Sequence, residues 1–380
     1  LEDYLKHIGT AKRVVVKVGT TTLTHSTGKL NLNRMEQLVR QLVDLKNQGK
    51  EVVIVTSGAV GAGMGRLGLR EKPASILERQ ALAAIGQGLL MQVYEKLFSE
   101  YGVTVAQVLL TRDDVSDRKR YLNARNTILT LLNYQAIPVI NENDTVATEE
   151  LKIGENDTLS ALVTGLIDAD LLILLSDIDG LYTKDPKRDD SARLIPFVSE
   201  ITPEIREMAG GSASAFGTGG MTTKIGAAQM TLASGASMVI MNGSEPARIQ
   251  KVFQAEPVGT VFVGHQPAVN HRKRWIAFGP QPSGVIIVDE GAERALALLG
   301  KSLLPSGVVA VTGEFDEGDP VRIMNCANLE LARGLINYGR EQLEKIKGKQ
   351  TGEIEAVLGF KSSDEVVHRD NMVITFHPRG

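Results

Sequence analysis

A chain of 380 residues, 43% of them hydrophobic, is long enough to bury two separate cores. A net charge of −3 and the absence of any apolar run of bilayer-spanning length exclude a helical membrane protein and argue against a nucleic-acid partner, which needs a basic excess. One cysteine, Cys326, excludes an internal disulfide and a multi-cysteine metal site. The opening "LEDYLKHIGTAKR" lacks the apolar core of a secretory leader, so a cytoplasmic location is the expectation.

Along the chain, short apolar runs alternate with helical patterns. The runs are "RVVVKV" (13–18), "EVVIVTS" (51–57), "GVTVAQVLL" (102–110), "AIPVI" (136–140), "LLILLS" (171–176) and "SMVIM" (237–241). Segments such as "RMEQLVRQLVDL" and "RNTILTLLNYQ" carry apolar residues at i, i+3 and i+4 between them. Near-continuous apolar strands spaced by helices predict an α/β domain: a mainly parallel sheet sandwiched by helices. Ligands of such sheets collect at the carboxyl ends of the strands. The residues just after each run are therefore the candidates for chemistry.

The first run contains Lys17 and is followed by Gly19 and three threonines. A lysine inside a buried strand can snorkel to an edge. Beside backbone amides and hydroxyls, however, its charge suits a phosphate. After the second run, Ser57 and Gly58 turn the chain into "AVGAGMGRLG". The amides of that turn can hold an anion. The GxGxxG of "GMGRLG" starts too far from its strand for a dinucleotide fingerprint, and helix packing or a turn explains its glycines more simply. A hydride-transferring dehydrogenase would rest on that motif alone.

The fourth run leads into "NENDTVATEELKIGENDTLSAL", in which Glu-Asn-Asp-Thr occurs at 142–145 and again at 155–158. Polar turns with Asn and Asp caps account for part of this pattern. The density of carboxylates and amides also suits an ammonium group, a hydrated Mg²⁺, or both. The second copy stands at the start of the helical pattern "DTLSALVTGLIDA". After the fifth run, "SDIDGLYTKDP" offers Asp177, Asp179 and Asp185 as loop caps or as nucleotide contacts, with nothing in the sequence to choose between them. "GTGGMTTK" (217–224) then sets glycines, hydroxyls and Lys224 before the helical "IGAAQMTLASG". It departs from the P-loop, since Thr223 rather than glycine precedes Lys224. Two lysines beside separate Gly/Thr turns predict one polyphosphate held from two sides. The six histidines all fall outside these segments, which argues against a histidine base. Phosphoryl transfer to a carboxylate fits, because a carboxylate of pKa about 4 is already ionised at neutral pH.

Beyond residue 264 the periodicity stops. "GHQPAVNHRKRWIAFGPQPSG" reads as a linker, and "GVIIVD", "GVVAVTG" and "DPVRIMN" read as strands of a small β-rich domain. Residues 281–380 carry 11 basic against 15 acidic side chains, which argues against strong RNA binding by that domain.

Taken in order, "VVVKVGTTTL", "VIVTSGAVGAG", "VINENDTVAT", "KIGENDTLSALV", "LLSDIDGLYTKDP" and "GTGGMTTK" resemble the amino acid kinase family. The tail resembles the PUA domain that many of these kinases carry. The resemblance implies a kinase domain over 1–264, a linker over 265–283 and a PUA-like domain over 284–380. Within the family it favours the branch that uses ATP and Mg²⁺ to phosphorylate the γ-carboxylate of L-glutamate, giving γ-glutamyl phosphate for proline biosynthesis. Kinases of N-acetylglutamate, aspartate, carbamate or UMP share the same phosphate machinery. By position, Lys17 and Lys224 match the lysines that stabilise the transferring phosphoryl group, and Asp157 matches the aspartate that organises them. Ser57, Asp144 and Asn156 match substrate-binding positions. Lys17, Ser176, Asp177, Thr218, Gly219, Gly220, Met221, Thr222, Thr223 and Lys224 match ATP-binding positions. Glu155 stands where some relatives have Asp. The resemblance further implies inhibition by proline and a homo-oligomer, dimer or tetramer.

Overall fold

A computed structural model describes residues 2–25, 27–69, 71, 73–147, 156–186, 188–210, 220–263, 276 and 282–375. The chain divides into two compact units, one holding residues 1–115 and 119–268, the other residues 116–118 and 269–380. The expected linker over 265–283 lies almost wholly outside the described residues.

The first unit is built on eight strands: β1 (Arg13–Val18), β2 (Glu51–Val55), β3 (Val105–Leu110), β4 (Ile137–Glu142), β5 (Leu171–Ser176), β6 (Phe197–Val198), β7 (Ser237–Asn242) and β8 (Thr260–Phe262). They run in the order β3-β4-β2-β1-β5-β7-β8-β6. Every pairing is parallel except β7 with β8. The central strands are those with unbroken apolar runs. All six residues of β5 are buried, as are Val14, Val15, Val16 and Val18 of β1. A strand covered on both faces has no solvent side on which to alternate. The short strands β6 and β8, of two and three residues, lie below the length at which a period can be read from sequence.

The flanking helices follow their apolar stripes. Leu32–Asn47 turns Met35, Leu38, Val39, Leu42, Val43 and Leu45 to the core, each worth about 1.5–3 kcal/mol when fully buried. The helix begins where the Asn31 side chain accepts a hydrogen bond from the Arg34 amide at 3.1 Å. Among the glycines of "AVGAGMGRLG", Gly63 serves packing, and Gly68, at φ +71°, makes the turn that ends the Ala59–Leu67 helix. The Ala59–Leu67 helix lies so close to the Ile76–Ser99 helix that a Cβ on Gly86 would fall 1.7 Å from the Ala59 carbonyl oxygen. One on Gly63 would fall 2.1 Å from that of Leu82. Gly58, at φ +91°, makes the left-handed turn that starts the first of these helices.

This order of strands fixes where a ligand can sit. From β1 the chain proceeds to its neighbour β2; from β5, on the other side of β1, it proceeds through β6 to β7. The outgoing connections part between β1 and β5, the kind of crevice that binds ligands in open α/β sheets.

The second unit has five strands, β9 (Gly284–Val288), β10 (Val308–Gly313), β11 (Pro320–Asn325), β12 (Glu330–Leu335) and β13 (Met372–Ile374), in the order β10-β9-β11-β12-β13. Only β9 and β11 pair in parallel. Its own core gathers Ile286, Val288, Val321, Ile323, Leu331 and Tyr338, all fully buried. No helix here exceeds the eight residues of Glu290–Ala297 among the described residues. β12 was not expected. Its burial does not alternate, and a register shift at Ile323/Met324 breaks the period opposite it.

Candidate active site

The carboxyl ends of β1, β2, β4 and β5 open on one cavity of about 560 Å³. Lys17 reaches it from the end of β1, and Thr20 and Thr21 from the helical turn that follows Gly19. Ser57 and Gly58 come from the turn after β2, and Glu142 and Asp144 from the end of β4. Ser176 and Asp177 close it at the end of β5. Asn156 and Lys224 belong to the first turns of two helices, Asn156–Leu166 and Met221–Ala233. Both helices therefore direct their first amides and the positive ends of their dipoles toward this region.

At its base, Asp157 joins three elements. Its Oδ1 lies 2.7 Å from Lys17 Nζ, and its Oδ2 lies 3.0 Å from Lys224 Nζ. The Thr223 hydroxyl stands 3.1 Å from the same Oδ2 and 2.8 Å from the Gly220 carbonyl. Asp157 is 1% exposed and Lys224 5%. Burial alone would raise the Asp157 pKa, but the charges of Lys17 and Lys224 outweigh it and hold the carboxyl below its usual value. A lysine in the first turn of a helix opposes the dipole, so Lys224 does not stabilise its own helix. Its placement is explained by what it faces. Two ammonium groups on one carboxylate leave one unit of positive charge at the cavity floor, where charge is least screened.

A second network lies beside the first. Asn156 Nδ2 donates to the Thr56 carbonyl at 2.7 Å and is 2.9 Å from both Ser57 Oγ and Asn141 Oδ1. Asn141 Nδ2 donates to Gln87 Oε1 at 2.9 Å. The Thr56 hydroxyl is 3.2 Å from the phenol of Tyr94, whose complete burial pushes its pKa up to about 12 despite that hydrogen bond. Sequence reasoning included Asn141 only as one of the amides of the acidic stretch, and missed Gln87 and Tyr94. Gln87 stands as a polar residue among the buried apolar positions of a long helix, a local signal that does not name its partner.

Lys17, Lys224 and Asp157, far apart in sequence, meet directly. Ser57, Asp144, Asn156, Ser176 and Asp177 line the same cavity, with Ser176 Oγ donating to Asp177 Oδ1 at 3.2 Å. Gly220 caps the Met221–Ala233 helix. Met221 and Thr222 do not line the cavity, and the Thr222 hydroxyl donates to the Ala209 carbonyl at 3.2 Å. Thr218 and Gly219 lie outside the described residues, as does Glu155. Of the loop aspartates left undecided by sequence, Asp179 accepts from the Tyr182 hydroxyl at 3.3 Å and faces Arg248, and Asp185 faces Arg188. Only Asp177 of the three reaches the cavity. None of the described histidines, His7, His25 and His368, lines it.

A parallel sheet whose switch point carries two lysines on one aspartate defines a phosphoryl-transfer fold, and similarity to known proteins agrees. The amino acid kinase family model matches residues 12–242, and the PUA domain model matches residues 284–358. The chain belongs to the amino acid kinase family. Curated relatives similar to it over nearly their whole length are named glutamate 5-kinase. One from Moorella thermoacetica is 56% identical over 96% of this chain and 96% of its own. Another, from Caldanaerobacter subterraneus subsp. tengcongensis, is 55% identical over 95% and 97%. A third, from Carboxydothermus hydrogenoformans, is 52% identical over 98% and 100%.

Proposed function

We propose that the protein transfers the γ-phosphoryl group of ATP to the γ-carboxylate of L-glutamate, forming γ-glutamyl phosphate, the first step of proline biosynthesis. The observation that carries this reading is the Lys17–Asp157–Lys224 cluster at the switch point. Attack of one anion on another is opposed by charge, and the remedy is fixed positive charge with alignment of the reacting groups. Lys17 and Lys224 supply the charge. Asp157 holds both ammonium groups in place, so little reorganisation is needed as the transition state forms. No proton has to leave the nucleophile, which agrees with a cavity free of the described histidines.

On this reading Ser57, Asp144 and Asn156 bind glutamate, while Ser176, Asp177 and the stretch from Thr218 to Lys224 bind ATP. Among the described residues no three carboxylate, imidazole or thiol groups gather into a metal cage. With Asp144 assigned to glutamate, Asp177 is the carboxylate that lines the cavity among the residues assigned to ATP. A single carboxylate fits a Mg²⁺ carried mainly by the nucleotide, and Asp177 would help to hold it. Bound there, Mg²⁺ would neutralise charge on the β- and γ-phosphates.

Inhibition by proline, assembly as a homo-dimer or tetramer, and work in the cytoplasm belong to the same reading, as do domain limits at 1–264, 265–283 and 284–380. No helix among the described residues is long and apolar enough to cross a membrane. The test is an ATP-dependent hydroxamate assay, which traps the acyl phosphate, run on glutamate, N-acetylglutamate and aspartate, with and without proline. Glutamate-selective hydroxamate that falls with added proline is expected. Selective use of another acceptor overturns the assignment.

A further inference from the structure

We propose that Gln87 is a positioning residue for the amino-acid substrate, acting through a chain of side-chain amides whose direction the Thr56 carbonyl sets. The proposal rests on the reading that Asn156 binds the substrate.

A carbonyl oxygen only accepts, so the atom of Asn156 that lies 2.7 Å from the Thr56 oxygen is the amide nitrogen. That fixes the flip of Asn156. Its nitrogen also faces Asn141 Oδ1 at 2.9 Å, which fixes Asn141 with its own nitrogen turned the other way. This second nitrogen meets Gln87 Oε1 at 2.9 Å, which fixes Gln87. Reversing any one amide would set nitrogen against nitrogen or oxygen against oxygen. The consequence for the cavity is that Asn156 turns Nδ2 into the network and keeps Oδ1 on the opposite side, as an acceptor suited to a substrate ammonium. Gln87, only 8% exposed, gains no second partner: among the described residues Nε2 is buried and without one. A buried amide that leaves both N–H donors of its nitrogen unpaired stands at a cost, which the accepting oxygen must justify. Gly86 makes its reach possible, since only a glycine there lets the Ile76–Ser99 helix approach Ala59 so closely.

Gln87→Met keeps the volume and removes the accepting oxygen, stranding Asn141 Nδ2. Glutamate KM, and the glutamate Kd measured by calorimetry without nucleotide, should rise about tenfold, while ATP KM stays within about twofold. Tm should change little, because the unpaired Nε2 is removed with the bond. Gln87→Glu retains an accepting oxygen and should restore most of the affinity. In an Asn156→Ala background, adding Gln87→Met should change glutamate KM by less than about twofold. A full tenfold effect in that background, or a fall in Tm with unchanged glutamate affinity, overturns the proposal. Wild-type protein that binds glutamate with all Gln87 variants equal to it overturns this inference alone. Wild-type protein that binds no glutamate overturns the functional reading with it.

Discussion

Lys224 enters the cavity from the first turn of its helix and lies 3.0 Å from an oxygen of Asp157, itself in the first turn of another helix. Asp157 gains from the dipole of its helix, and Lys224 is set against the dipole of its own. The buried carboxylate makes the lysine's position tenable. The pair, with Lys17 on the other oxygen, is a preformed cationic floor. Lys17→Ala and Lys224→Ala should each lower kcat by about 100- to 1000-fold, the loss typical of one oriented group at a developing charge. The fold should survive by circular dichroism. Near-normal kcat in either folded variant would remove that lysine from the mechanism.

Asp157 gives the cluster a pH signature. Its folded pKa is depressed, so its contribution to stability is present above the unfolded value, about 3.9, and is lost as pH falls through the folded value. Asp157→Asn removes that contribution at every pH. The Tm gap between wild type and Asp157→Asn should therefore be steady near neutrality and narrow as pH falls below about 4. A gap that is constant down to strongly acid pH would show that the carboxylate's charge does not stabilise the fold.

Much of this site was legible because its charges interrupt patterns. Lys17 stands in an apolar strand, and Lys224 closes a Gly/Thr turn, so each announced itself locally. The strands of the parallel core were legible for the same reason, as runs with no polar face. Asn141 and Gln87 were not, because their meaning lies in a mutual contact between a strand end and a helix far apart in sequence. Nor could the sequence show that Asp157, rather than its neighbours in the doubled Glu-Asn-Asp-Thr, would face both lysines; the resemblance supplied that. In the second unit the strands without clean alternation, β12 and β13, escaped notice.

The glycines of the Ala59–Leu67 and Ile76–Ser99 helices should matter for folding. Gly86→Ala would place its Cβ 1.7 Å from the Ala59 carbonyl oxygen, a backbone atom that can yield only if the helix moves. Overpacking of this kind costs about 1–3 kcal/mol or more. Tm should fall, and glutamate affinity with it, since the displaced helix carries Gln87. An unchanged Tm would mean that the two helices are less tightly seated than this spacing indicates.

Every residue assigned to the site precedes residue 225, while the second unit has its own sheet and core. A chain ending at residue 268 should fold and phosphorylate glutamate with kcat within about threefold of the full chain, because none of the groups that stabilise the transition state is removed. Soluble, folded and inactive protein would assign the PUA-like domain a part in the site or in an assembly the chemistry requires.

The acidic turn after β4 should decide which amino acid is accepted. Asp144 lines the cavity with Glu142 and Asn156, a set of acceptors in excess of what the carboxylates of glutamate would favour. Their natural partner is the α-ammonium. Ser57 and the amides of the turn at Gly58 then suit the α-carboxylate, and the γ-carboxylate is left directed toward Lys17 and Lys224. Asp144→Asn keeps the shape and removes the charge. Loss of a charge-assisted bond of about 1.5–3 kcal/mol corresponds to a rise in glutamate KM of about 10- to 150-fold, with ATP KM nearly unchanged. N-acetylglutamate has no ammonium and would set Asp144 against a neutral amide, so it should be a poor substrate of the wild type. Proline retains a secondary ammonium beside a carboxylate, so on the proposed reading it should compete with glutamate in the wild type but weakly in Asp144→Asn. The check is KM for both substrates and the proline inhibition constant in the two proteins. A selective rise in ATP KM, with glutamate and proline unaffected, would assign this turn to the nucleotide instead.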